Sequence, residues 1–202
     1  MPHQSHPEWE AFLAAIVAEP DDDTPRLVAA DWLDEHDRPA QAAFVRVQVE
    51  LARLEATGRM YGPEADSLRV KERAALGPWA TDRSLWAAEA CPQLVRVTAP
   101  PGTKSLAVGV TGGERVRFHR GFVEEVIVTA AKWLQHGAAV RARNPIRRVL
   151  LSRCDDITRD HWYQMMTAGG LYGLDEVVLD TRDGGLVDFL RAFLTGTAVE
   201  VY

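Results

Sequence analysis

The chain has 202 residues, 47% hydrophobic and 26% charged, with a formal net charge of -6. That length allows one domain or two small ones with a real core, and the interspersed acids and bases argue against a polyanion or anionic membrane held by a long-range field. No apolar run reaches the roughly 18 residues of a membrane span, and "MPHQSHPEWE" lacks the basic start, apolar core and cleavage site of a leader, so a cytoplasmic location is expected.

The first elements read as helices. Trp9, Phe12, Leu13, Ile16 and Val17 recur at helical spacing until Pro20 ends the run. In "DDDTPRLVAADWLDE", Asp23 or Thr24 is placed to cap a second helix and Pro25 stands at its first position. Asp21, Asp22 and Asp23 then face the positive end of the helix dipole, so half of the acid cluster needs no catalytic explanation. This helix continues through Leu27, Val28, Ala30, Trp32 and Leu33. Asp31 falls close to its apolar side, where a carboxylate needs a partner, with Arg26 or Arg46 the nearest candidates for a structural ion pair.

A third helix is predicted from near Ala40 to about Glu55, on the spacing of Phe44, Val47, Leu51 and Leu54. "PEADSLRVKERAAL" gives a fourth, packed by Leu68 and Leu76. Within "GPWATDRSLWAAEACP" Trp79 and Trp86 flank a linker, and beyond it the composition changes, with the boundary near Pro92: residues 1–92 helical, residues 93–202 β-containing. "QLVRVTA", "SLAVGV" and "ERVRF" are short β-prone runs separated by turn chemistry.

From residue 121 a period emerges. "FVEEVIVTAA", "PIRRVLLSRC" and "GLDEVVLDTR" stack so that Val123, Ile146 and Leu174 align, then Val126, Val149 and Val177, then Val128, Leu151 and Leu179. The steps are 23 and 28 residues, and "AVEVY" gives a truncated fourth copy 24 residues beyond the third. This period and its apolar-x-x-apolar-x-apolar pattern are those of leucine-rich repeats. With "AAKWLQHGAAVRAR", "ITRDHWYQMMTAG" and "GGLVDFLRAFLTG" as intervening helices, the expectation is an α/β fold: an N-terminal helical bundle followed by a short half-solenoid with parallel strands. A hairpin around "ERVRFHRGFVEEV" is expected to cap its front, and "VEVY" to leave an edge strand open to another subunit. Cys154 falls where the repeat wants Asn or Cys inside a turn; with Cys91 it reads as a buried, reduced thiol.

"FLAAIVAEPDDDTPRLVAADWLDE" followed by "AAFVRVQVELARL", residues 8 to 54, resembles the bacterial repeat-companion domain, a helical module that precedes leucine-rich-like repeats. "HDRPAQ" replaces the family's usual Gly-Asp turn, and Ala42-Ala43 replaces its Ala-Glu. The resemblance implies no catalytic activity.

Other constellations are weaker. Asp155, Asp156, Asp160 and His161 suggest a metal or hydrolase site, but a cap on a helix starting near Thr158 explains them more simply. His119 and Arg120 precede Gly121 in a predicted turn, and neither they nor His136 has a nucleophile motif beside it. Arg141, Arg143, Arg147 and Arg148 form a basic run that suits phosphates or a solvated helix end. The tryptophans are expected in cores, with Trp79 and Trp86 packing the halves together. No cofactor or metal is assigned. The leading reading is a non-enzymatic protein-binding adaptor or complex subunit, contacting its partner through Glu124, Arg147, Arg153 and Glu176 on the sheet face. A small hydrolase using Asp31 or the Asp155 to His161 cluster, and a nucleic-acid accessory protein using the arginine run, are the alternatives.

Overall fold

The computed structural model describes residues 6–77, 81–95 and 114–202. Four helices come first: α1 (Pro7–Ala18), α2 (Thr24–Glu35), α3 (Pro39–Ala56) and α4 (Pro63–Ala75). Each carries a proline in its first two positions, where a missing N–H leaves no bond unmade. Asp22, rather than Asp23 or Thr24, supports the start of α2, its Oδ1 accepting from the Thr24 N–H at 2.8 Å. α2 turns Ala29, Ala30, Trp32 and Leu33 inward against Trp9, Leu13 and Ile16 of α1 and Ala42 and Val45 of α3. α5 (Thr81–Ala90) occupies the stretch expected to be linker. Residues 96–113, which contain most of "QLVRVTA" and all of "SLAVGV", and Trp79 lie outside the described residues.

The second half builds one five-stranded sheet in the order β1-β2-β3-β4-β5. β1 (Arg115–His119) and β2 (Phe122–Thr129) form the expected antiparallel hairpin. β2, β3 (Arg148–Ser152), β4 (Glu176–Leu179) and β5 (Ala198–Val201) then run parallel, joined by α6 (Ala130–Arg141), α7 (Arg159–Thr167) and α8 (Gly184–Phe193). A parallel pair needs such a crossover, and each helix hides its apolar stripe on the strands it connects. Trp133 of α6, Trp162, Met165 and Met166 of α7 and Leu190 of α8 share one buried cluster with Val126, Val149, Val177 and Val199.

The strand register coincides with the sequence alignment: Val126 stands opposite Val149 and Val149 opposite Val177, while Val128, Leu151 and Leu179 form the next row. The fourth copy is offset. Val199, not Val201, continues the Val177 row, so the last step is 22 residues, two fewer than the alignment of "AVEVY" gives. A shift of two keeps each side chain on its own face; a small Ala198 at the strand start does not fix the phase.

The boundary near Pro92 passes through a shared interior. Ala87 and Cys91 belong to the cluster that holds Val123 and Val126. Trp86 of α5 packs with Phe44 and Leu76, and with Phe118 of β1, joining the halves as expected for this tryptophan. Phe122 belongs to the core of α1, α2 and α3.

Candidate functional site

The helical unit meets the sheet at the β1–β2 turn, and a bulge sets the geometry. Arg117 pairs with Glu125 and Phe118 with Val123, which leaves Glu124 as the extra residue of β2. A bulge re-aims the side chain of its unpaired residue. Glu124 therefore leaves the sheet face and points into the joint, where its Oε1 accepts from Arg26 Nη2 at 2.8 Å.

Arg26 is fully buried, and carbonyls surround its fork. It donates to the Pro20 carbonyl at 2.9 Å and to the carbonyls of Arg120 and His119 at 3.3 and 3.4 Å, beneath the Phe122 ring at 5.5 Å. Burial pulls its pKa down while Glu124 opposes the shift, and a guanidinium stays protonated in any case. The other Glu124 oxygen binds His119 Nδ1 at 3.0 Å, and that hydrogen bond, against the desolvation of the ring, raises the His119 pKa.

The turn fits only as glycine. Gly121 has φ +84°, and a Cβ there would lie 2.6 Å from Val45 Cγ2 and 2.7 Å from Val45 Cα on α3. Its N–H donates to Gln48 Oε1 at 2.9 Å.

The same edge repeats along the sheet. The Arg147 N–H donates to the Glu124 carbonyl, the Asp175 N–H to the Arg147 carbonyl, and the Ala198 N–H to the Asp175 carbonyl, each at 2.8 Å. Glu124 within β2, Arg147 just before β3 and Asp175 just before β4 are thus equivalent positions. Arg147 binds Asp21 of the α1–α2 loop and Asp175, both at 2.5 Å. Its guanidinium lowers the Asp21 pKa. Asp21 of "DDDTPR" accordingly ties the helical unit to the start of β3, while Asp22 binds Thr24 and Asp23 binds Arg53 of α3.

These contacts correct the expected partner surface. Glu124 is buried, and Arg147, partly exposed, is held by Asp21 and Asp175. Arg153 is exposed in the loop after β3, with a left-handed φ of 56°. Glu176 does stand on the face away from the helices, and its neighbours in register are Arg148 and Glu125. There Arg117–Glu125 (3.1 Å), Glu125–Arg148 (3.5 Å) and Arg148–Glu176 (2.8 Å) form a ladder of alternating charge across four strands. The next row on the same face is apolar: Ile127, Leu150 and Val178 in register, outside the cluster the helices cover. Reading the pattern as strict alternation from Val123 misses the bulge and puts the outward row one residue early.

Asp31 is exposed and bound to Arg46 at 2.7 Å, not to Arg26. It is not the core carboxylate its helical position suggests. Asp155 accepts from Thr181 Oγ1 at 2.5 Å, Asp156 lies 4.0 Å from Arg153, and His161 Nδ1 accepts from the Thr158 N–H at 3.3 Å. The α7 cap is therefore Thr158 with His161 rather than Asp155 or Asp156, and these acids do not converge. The arginine run is likewise engaged: Arg141 donates to the Gly169 carbonyl, Arg143 to Glu10 at 2.6 Å, and Arg147 and Arg148 to the acids above. Cys154 donates to the Leu151 carbonyl at 3.1 Å inside its turn, and burial pushes both Cys91 and Cys154 thiols up to about 12. At the far margin, β5 is the sheet edge, with Val201 and Tyr202 exposed.

One cluster has no counterpart in the sequence reading. His6, Glu8 and His36 bring ligand atoms within 4.8 Å of one another. Their spacing matches no ligand motif, because two whole helices, α1 and α2, separate the histidines.

No family model, curated protein or solved structure matches the chain. Among the described residues, no helix is long and apolar enough to cross a membrane.

Proposed function

We propose that the chain is a non-enzymatic protein-interaction module, an adaptor or subunit of a larger bacterial assembly. In it a helical repeat-companion unit carries a short leucine-rich-repeat-like half-solenoid. Successive parallel strands at steps of 23, 28 and 22 residues, with their helices on one side, support the solenoid reading.

The observation that carries the binding reading is the face opposite the helices. Half-buried Ile127 and Leu150, followed in register by buried Val178, run beside the Arg117–Glu125–Arg148–Glu176 ladder. An apolar strip with a charged rim is the composition of a specific interface, the charges fixing orientation and register. The joint at Arg26 holds the helical unit at one end of this platform.

Affinity isolation from the native host, comparing the wild type with a folded Leu150→Glu variant, tests the reading. Proteins that accompany the wild type and are lost with the variant support it. An identical set with both, or turnover of a substrate abolished by Asp31→Ala, opposes it.

A further inference from the structure

We propose that His6, Glu8 and His36 form a binding site for a divalent transition metal, with zinc the ion best suited to two imidazoles and a carboxylate. The site would join the start of α1 to the end of α2.

Trp32 orients two of the three ligands. Its carbonyl lies 2.8 Å from His36 Nδ1. A carbonyl only accepts, so Nδ1 carries the proton and the lone pair of the neutral ring falls on Nε2. Its indole Nε1 donates to Glu8 Oε2 at 2.9 Å. Metal-binding histidines characteristically donate their second ring nitrogen to a carbonyl or carboxylate, and ligating carboxylates are themselves hydrogen-bonded. Here one buried residue does both. The His36 ring also lies flat on the Trp32 indole at 3.8 Å between centroids, and His6 approaches the same indole at 5.2 Å.

The ligands are near, not at, coordination distance. His6 Nδ1 stands 3.9 Å from Glu8 Oε2. Two ligands of a tetrahedral zinc ion lie about 3.4 Å apart, given bonds of about 2.1 Å. His6 and Glu8 have side chains 44% and 64% exposed, so closing the gap displaces no core atoms. His36 is the C-cap of α2, at the negative end of its dipole, which favours a cation. Among the described residues three side chains offer ligands, and a tetrahedral ion takes a fourth from water or another donor.

The test is titration of the full chain with Zn2+ and, separately, with Co2+. The wild type should take up one Zn2+, melt at a higher temperature with it, and give the visible spectrum of four-coordinate Co2+. His6→Gln, a change at an exposed side chain, and His36→Gln should each weaken binding at least about tenfold and abolish the thermal shift. Trp32→Phe keeps the carbonyl and removes the indole donor, and should weaken binding by about tenfold. Uptake unchanged in His6→Gln and His36→Gln, no uptake by the wild type, or a six-coordinate Co2+ spectrum overturns the proposal.

Discussion

Glu124, the bulged residue of β2, meets Arg26 of α2 at 2.8 Å, with side chains 7% and 0% exposed, although 98 residues separate them in the chain. Removing one partner strands a buried charge. Arg26→Ala or Glu124→Ala should therefore cost about 3–5 kcal/mol, while replacing both by Met and Leu should recover a large part of that loss. Asp31→Ala, which breaks an exposed pair with Arg46, should cost less than about 1 kcal/mol. Urea denaturation of the four variants checks the contrast; equal losses from Arg26→Ala and Asp31→Ala would remove the joint as a stability determinant.

Gly121→Ala should destabilise more than a typical surface change. A left-handed backbone costs an L-residue roughly 1–2 kcal/mol, and the added Cβ meets the Val45 backbone as well as its side chain. Val45→Ala should therefore fail to rescue it. Melting temperatures of both single variants and the double variant decide the point; full rescue would show that only the Val45 methyl is in the way.

His119 couples the joint to pH. Its folded pKa is raised above the unfolded value of about 6.5, chiefly by the bond to Glu124. The stabilisation is then complete below about 6.5 and is lost as pH rises through the higher folded value. The ring titration followed by NMR should give a midpoint above 6.5 in the wild type and a lower one in Glu124→Gln. A midpoint at or below 6.5 in the wild type would contradict the assignment.

The strand rows were legible because period and polarity agree. Val126, Val149 and Val177 share a row in sequence and in space, since each sits where a parallel β-α unit must bury a side chain. The joint was not legible. Glu124 follows a buried valine, and alternation assigns it outward; the three-residue step from Val123 to Val126 is the only local sign of the bulge. Arg26 lies beside Leu27 and one turn before Ala30 on a helix whose charges otherwise face water, and its partner comes from the other half of the chain. α5 was not legible for a different reason: "TDRSLWAAEA" is short, and Trp86 and Ala87 acquire their apolar surroundings from distant parts of the chain, Trp86 from Phe44, Leu76 and Phe118 and Ala87 from the cluster around the sheet.

The proposed docking of a protein on the sheet face opposite the helices can be read out by photo-crosslinking in the native host. A photoreactive residue replaces Leu150 on that face or, separately, exposed Gln164 on α7. The account predicts a discrete protein adduct from position 150 and none from position 164. Adducts from position 164 alone, or from neither position, would contradict it.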